Sequence, residues 1–186
     1  MRQIISPLAL ATLALAGGVS VALAEDKPIV IGITSPIQLQ VGRDTVDATQ
    51  LAIDEINAKG GVLGRKLSMV VADETMDPQQ GVSAVKKLTS DAHVDVLIGG
   101  YNSGVTLAQE PHIADAKTIY LGVGAASPSI TDFVKKKYDR FKYVFRVNPI
   151  NAPRQADQLT GFIVGKVKGD LGFSTVAIVG ENAKWG

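Results

Sequence analysis

Two short glycine-rich stretches, each directly after an aliphatic run, carry the residue types best suited to chemistry. They are IGGYNSGVT at residues 98–106 and LGVGAASPSIT at residues 121–131. In the first, the glycines let backbone approach a bound molecule closely. Ser103 sets a hydroxyl beside the start of a helix, where free N–H groups favour an anion such as a carboxylate. The alternative is that Ser103 only caps that helix. In the second, Gly124, Ala125 and Ala126 have side chains too small to block access to backbone donors and acceptors, and Ser127 adds a hydroxyl before Pro128. The same residues also make an ordinary Gly/Ser/Pro turn. Two loops of this kind at neighbouring strand ends suit a shared pocket for a small polar molecule, since open parallel sheets bind ligands at the carboxyl ends of their strands. A third strand-end loop, TSPIQLQVGRD at residues 34–44, would form one wall.

Other chemistries fit less well. GGYNSG and GVGAAS both miss the G-x-G-x-x-G spacing of a dinucleotide site, and no acidic residue closes the following strand at the right distance. His93 and His112 are isolated, so no nucleophile–base–acid order has a geometric warrant. Asp73 and Glu74, at a strand end, are either a cation site or a solvated strand end. The chain has no cysteine, which excludes disulfides and thiolate metal sites. With 19 basic and 18 acidic residues the charge is balanced, and a nucleic-acid or anionic-membrane partner is not indicated. No cofactor or metal is expected.

These loops need elements to hold them. Residues 1–24 read as a secretory signal: Arg2, then an apolar stretch, then Ala22-Leu23-Ala24 before Glu25-Asp26. The absence of a cysteine after it removes the usual lipid tether, and a periplasmic location is expected. About 162 residues remain, rich in Val, Ile, Ala and Gly. Aliphatic runs at residues 28–33, 66–72, 94–98, 118–121 and 175–179 predict strands, and residues 143–147 a further extended segment. Helices are predicted at 44–59, at 77–92 opening on Asp77-Pro78, at 104–116 short or kinked by Pro111, near 131–137, and from Pro153 onward. This alternation is the rhythm of βαβ units. The fold class is therefore α/β, a three-layer Rossmann-like lobe with a mostly parallel sheet. The helix and strand after residue 148 either extend this sheet or open a second lobe.

LAIDEINAKGGVLGRKLSMVVADETMDP, VDVLIGGYNSGVTLA, GVGAASPSITD and VFRVNP resemble, in order and spacing, the branched-chain amino-acid (Leu/Ile/Val)-binding family of ABC importers, the type I periplasmic binding proteins. The resemblance spans essentially residues 27–186. It implies two lobes clamping a small-molecule ligand, an amino acid or analogue, for delivery to an ABC permease by a non-enzymatic monomer. The first lobe would be residues 25–147, and residues 148–186 the truncated start of the second. The resemblance places Ser103 on the ligand's α-carboxylate and the backbone of Gly124 to Ala126 on its carboxylate and amino group. A threonine hydroxyl is common where this chain has Ala126, with Ser127 one residue later. Trp185 falls where an aromatic residue packs on the ligand. The alternatives are a ligand-sensing domain of the same fold and, more distantly, an exported α/β enzyme.

Overall fold

A computed structural model describes residues 27–148, 151–180 and 182. The predicted signal and Trp185 lie outside the described residues. Five parallel strands form one sheet in the order β2-β1-β3-β4-β5: β1 Ile29–Ser35, β2 Leu67–Asp73, β3 Val96–Gly99, β4 Ile119–Gly122 and β5 Val144–Arg146. β1 is central, with Ile33 opposite Val71 on one side and Ile98 on the other. The chain moves outward to β2, then crosses back to β3, so the direction of winding reverses between β1 and β3.

The helices follow the predicted rhythm with shifted ends. α1 spans Gln40–Ala58, beginning four residues before the expected start, because Leu39 enters it without a side-chain cap. α2, Pro78–Lys86, starts as its Asp-Pro predicts: the Asp77 carboxylate accepts from Gln79 N and Gln80 N, and Pro78 takes the first turn. A π-helical turn, Lys87–Asp91, completes the span. α3, Ser103–Ala116, keeps its full expected span through Pro111 and is not cut short there. Close packing on α2 holds it. A Cβ on Gly81 would come within 2.4 Å of Val105 and 3.2 Å of Gln109, so only glycine permits this approach. α4, Ser129–Lys136, and α5, Tyr138–Phe141, fill the connection to β5. No helix among the described residues is long and apolar enough to cross a membrane.

Strand alternation divides the apolar side chains between two layers. Val85, Leu88, Leu97, Ile113, Tyr120 and Val144 pack on the side of α2 and α3. Ile31, Ile33 and Ile53 pack on the α1 side with Met69, Val71 and Ile98. α1 does not reach the far strands, where Ile119 and Phe145 are each 48% exposed.

α6, Ala152–Phe162, follows Asn151, whose side chain accepts from Arg154 N. A π-helical stretch, Ile163–Asp170, continues it, and neither segment has a buried residue. The strand expected at residues 175–179 is not formed. The run is aliphatic, but a strand exists only by pairing, and no described strand lies beside it; Val179 is 97% exposed. The fifth strand of the sheet is β5 instead, from the segment read only as extended.

Candidate functional site

At the carboxyl ends of the strands, where the winding reverses, lies a small cavity of about 90 Å³. Ser35 from β1, Thr45 and Val41 from α1, Gly99 to Tyr101 after β3, and Val123 and Gly124 after β4 line it. No charged side chain is among them. Hydroxyls and backbone amides therefore set its chemistry, suited to a small polar group held by hydrogen bonds.

The loop after β3 is shaped by steric necessity. Gly100 has φ +81°, and a Cβ there would fall 2.0 Å from Tyr120 Oη and 2.8 Å from Thr106 Oγ1. Tyr120 Oη, fully buried, donates to Gly99 O at 3.1 Å; burial pushes its phenol far above the ordinary range. Behind the loop sits a buried polar cluster. Thr34 Oγ1 donates to Glu74 Oε2, and Gln109 Nε2 reaches Glu74 Oε2 at 2.9 Å, Thr34 Oγ1 at 3.0 Å and Gly81 O at 3.2 Å. Tyr101 N approaches Glu74 Oε1 at 3.5 Å. Burial raises the Glu74 carboxyl, with these hydrogen bonds opposing. The solvated-end reading is thereby corrected for Glu74 and holds for the half-buried Asp73. Glu74 has no exposed surface and buttresses the β3 loop, while Asp73 receives Thr75 N and the Gln38 amide. No group of three or more potential metal ligands occurs among the described residues.

The capping alternative for Ser103 is also corrected, because Asn102 is the cap. Its Oδ1 accepts from Gly104 N at 2.8 Å and Val105 N at 3.1 Å, so two of the N–H groups expected to favour an anion are already taken. Ser103, 1% exposed, instead accepts from Ser127 N at 3.2 Å and joins the two loops. Further bonds unite them: Gly124 N and Ala125 N donate to Gly100 O at 3.1 and 2.7 Å, and Val123 N to Gly99 O at 3.0 Å. Ala126 O accepts from Ala152 N at 3.0 Å.

The structure thus brings five of the six expected residues into one assembly, though not as equals. Gly124 lines the cavity; Ala125, Ser127 and Ser103 are buried beneath it, Ala126 is half-buried, and Trp185 is outside the described residues. Ser35, Val41 and Tyr101 fall within the 34–44 and 98–106 loops read from the sequence, though none was singled out there, and Thr45 was missed. Arg146 was also missed: its Nη2 donates to Ser127 O. His93, exposed with φ +48° in the turn before β3, and His112, on α3, do not line the cavity.

A doubly wound α/β sheet with a small cavity at its point of reversal is a Rossmann-like arrangement, and ligands of such sheets bind at that point. The periplasmic binding protein family model matches residues 28–186, and the chain belongs to that family. Leu/Ile/Val-binding protein BraC3 of Rhizobium johnstonii is 34% identical over 106 residues, covering 55% of this chain and 29% of that protein. Leu/Ile/Val-binding protein homolog 7 of Brucella abortus is 28% identical over 184 residues, covering 96% of this chain and 44% of its own. The crystal structure of an ABC transporter substrate-binding protein from Desulfitobacterium hafniense in complex with Leu superposes with a TM-score of 0.65 at 28% identity, covering 75% of this chain and 39% of that one. The matches therefore span less than half the length of these relatives.

Proposed function

We propose that this chain belongs to a non-catalytic solute-binding protein that captures an amino acid, or a related small amide or carboxylate, and delivers it to an ABC permease. The cavity between β1 and β3 is the observation that carries this reading. At about 90 Å³ it falls well short of the roughly 300–1,000 Å³ of a complete small-molecule site. It suits the polar head of a solute, whose remainder would be enclosed from the other side. In this reading residues 25–147 form one lobe, residues from 148 belong to a second, and closure about their connection completes the site.

The uncharged lining assigns recognition to hydrogen bonds. Ser35, Thr45 and the backbone around Gly100 and Gly124 meet the head group. Ser103 keeps its own hydroxyl proton available while accepting from Ser127, so a carboxylate reaching it completes its bonding. The names of the relatives, Leu/Ile/Val-binding proteins, and the Leu complex of a structural neighbour favour an aliphatic amino acid. The periplasm is the compartment that suits the family.

The test is a thermal-shift screen of the full-length protein against aliphatic amino acids, small amides and small carboxylates. A true ligand at 100 times its dissociation constant adds about 2.7 kcal/mol of stability. A shift restricted to one chemical class, without turnover, supports the proposal. Turnover of a bound compound, or no shift by any member of these classes, contradicts it.

A further inference from the structure

Arg146 ends β5, and Glu110 lies on α3 across the same buried layer. Arg146 Nη2 donates to Ser127 O, and Ser127 N donates to Ser103 Oγ at 3.2 Å, so one loop residue is gripped from both sides. Glu110 has no exposed surface, and neither of its carboxylate oxygens has a hydrogen-bond partner. The Arg146 Nε is buried and equally without one. The two groups perturb each other electrostatically: the guanidinium opposes the upward shift that burial imposes on Glu110, and the carboxyl opposes the downward shift of Arg146. The orphan donor and the two orphan acceptors thus influence each other through their charges, with no hydrogen bond between them.

Unpartnered buried ionisable groups are costly, by several kcal/mol for a lone buried charge, and most folds avoid them. Simple packing does not call for a carboxylate here, because Ile113 on the same helix packs into its core layer with an apolar side chain. What an acidic group supplies at this place, when it is ionised, is a counter-charge. It favours an arginine turned inward, and that arginine holds the Ser127 carbonyl.

We propose that Arg146 is a positioning residue for the loop from Gly124 to Ser127, fixing the Ser127 carbonyl, and that Glu110 strengthens this hold only where it is ionised. The proposal rests on the reading above in that this loop contacts the solute. It adds that the loop's position is set from β5, the strand that leads into α6, rather than from the loop's own sequence. Ala152 N, at the start of α6, makes the companion tether to Ala126 O.

The test uses the full-length protein and the variants Arg146→Met, Arg146→Lys and Glu110→Gln, with amide hydrogen exchange and calorimetric titration of L-leucine. Arg146→Met is expected to lower protection of the Ser127 amide at least about tenfold while the Leu97 and Tyr120 amides keep theirs, and Arg146→Lys to restore part of it. Glu110→Gln is expected to reproduce a smaller local loss at pH 9 and little at pH 6, because the Glu110 carboxyl, pushed up to about 8 by burial, bears its charge only at the higher pH. The groups facing it are Arg146 from β5 and Tyr120 from β4. Unchanged protection at Ser127 in Arg146→Met, or a loss spread evenly over the sheet, overturns the positioning role. Equal behaviour of Glu110→Gln at both pH values overturns the part given to Glu110. A local loss of protection with unaltered L-leucine affinity, or in a wild type that does not bind L-leucine, supports the positioning and contradicts instead the placement of that solute at this loop.

Discussion

Ser103 and Glu110 show how differently a buried polar side chain acts when it has a partner and when it has none. Ser103 accepts from Ser127 and still has a proton to give. Replacing it with alanine strands both the Ser127 N–H and the proposed solute carboxylate, and should weaken binding by roughly 1–3 kcal/mol in a calorimetric titration; an unaltered affinity would remove Ser103 from the site. Glu110 has burial without hydrogen bonds. Its carboxyl titrates near 4.5 when unfolded and is pushed up to about 8 in the fold. The folded state therefore binds the proton more tightly, and this contribution to stability is fully present below about pH 4.5 and lost as pH rises toward 8. Burial also raises Glu74, which adds a loss of the same sign. Glu110→Gln cannot ionise, so its melting temperature should fall less steeply between pH 5 and 8 than that of the wild type. Parallel curves would contradict the buried, unpaired state.

At the scale of elements, each strand presents one face to α2 and α3, and the opposite face is covered by α1 only near β1, β2 and β3. Leu97→Ala, in the closed layer, should cost about 2–5 kcal/mol in denaturant unfolding, whereas Phe145→Ala, half-exposed on β5, should cost under about 1 kcal/mol. Similar losses at the two positions would contradict this layering. Gly100→Ala should cost more than about 2 kcal/mol, since it combines positive φ with a Cβ 2.0 Å from Tyr120 Oη. Features decided locally were legible in the sequence: Asp77-Pro78 opens α2, and the aliphatic runs at residues 28–33 and 66–72 become β1 and β2. Features decided by distant partners were not. The run at 175–179 has strand composition, but among the described residues no strand lies beside it. Asn102, rather than Ser103, caps α3 because the loop after Gly100 turns its side chain toward Gly104 and Val105. Glu74 looked solvent-bound until Thr34 and Gln109, 40 and 35 residues away in sequence, closed around it. Arg146 lay within the motif VFRVNP without any local sign that it reaches Ser127.

For the molecule as a whole, the central claim is that the solute's polar head occupies the reversal point between β1 and β3. Another hollow competes with it: an apolar groove of about 580 Å³ between α1 and the sheet, lined by Ala48, Ala52, Ile56 and Ile98 among others. The groove is larger and mostly apolar, with Asp44, Thr45 and Thr49 its polar residues, whereas the smaller cavity offers hydroxyls and turn backbone and no carboxylate. A zwitterion moved from water into the groove would set its carboxylate against Asp44 and apolar side chains, the Thr45 and Thr49 hydroxyls already donating to backbone, so polarity should outweigh volume. Amide chemical-shift mapping of the full-length protein, titrated with the aliphatic amino acid that gives the largest thermal shift, distinguishes the two most directly. Perturbations concentrated at Ser35, Gly99 to Tyr101 and Gly124 to Ser127 are the predicted result; perturbations centred on Ala48, Ala52 and Ile56, with the strand-end loops unmoved, would contradict it.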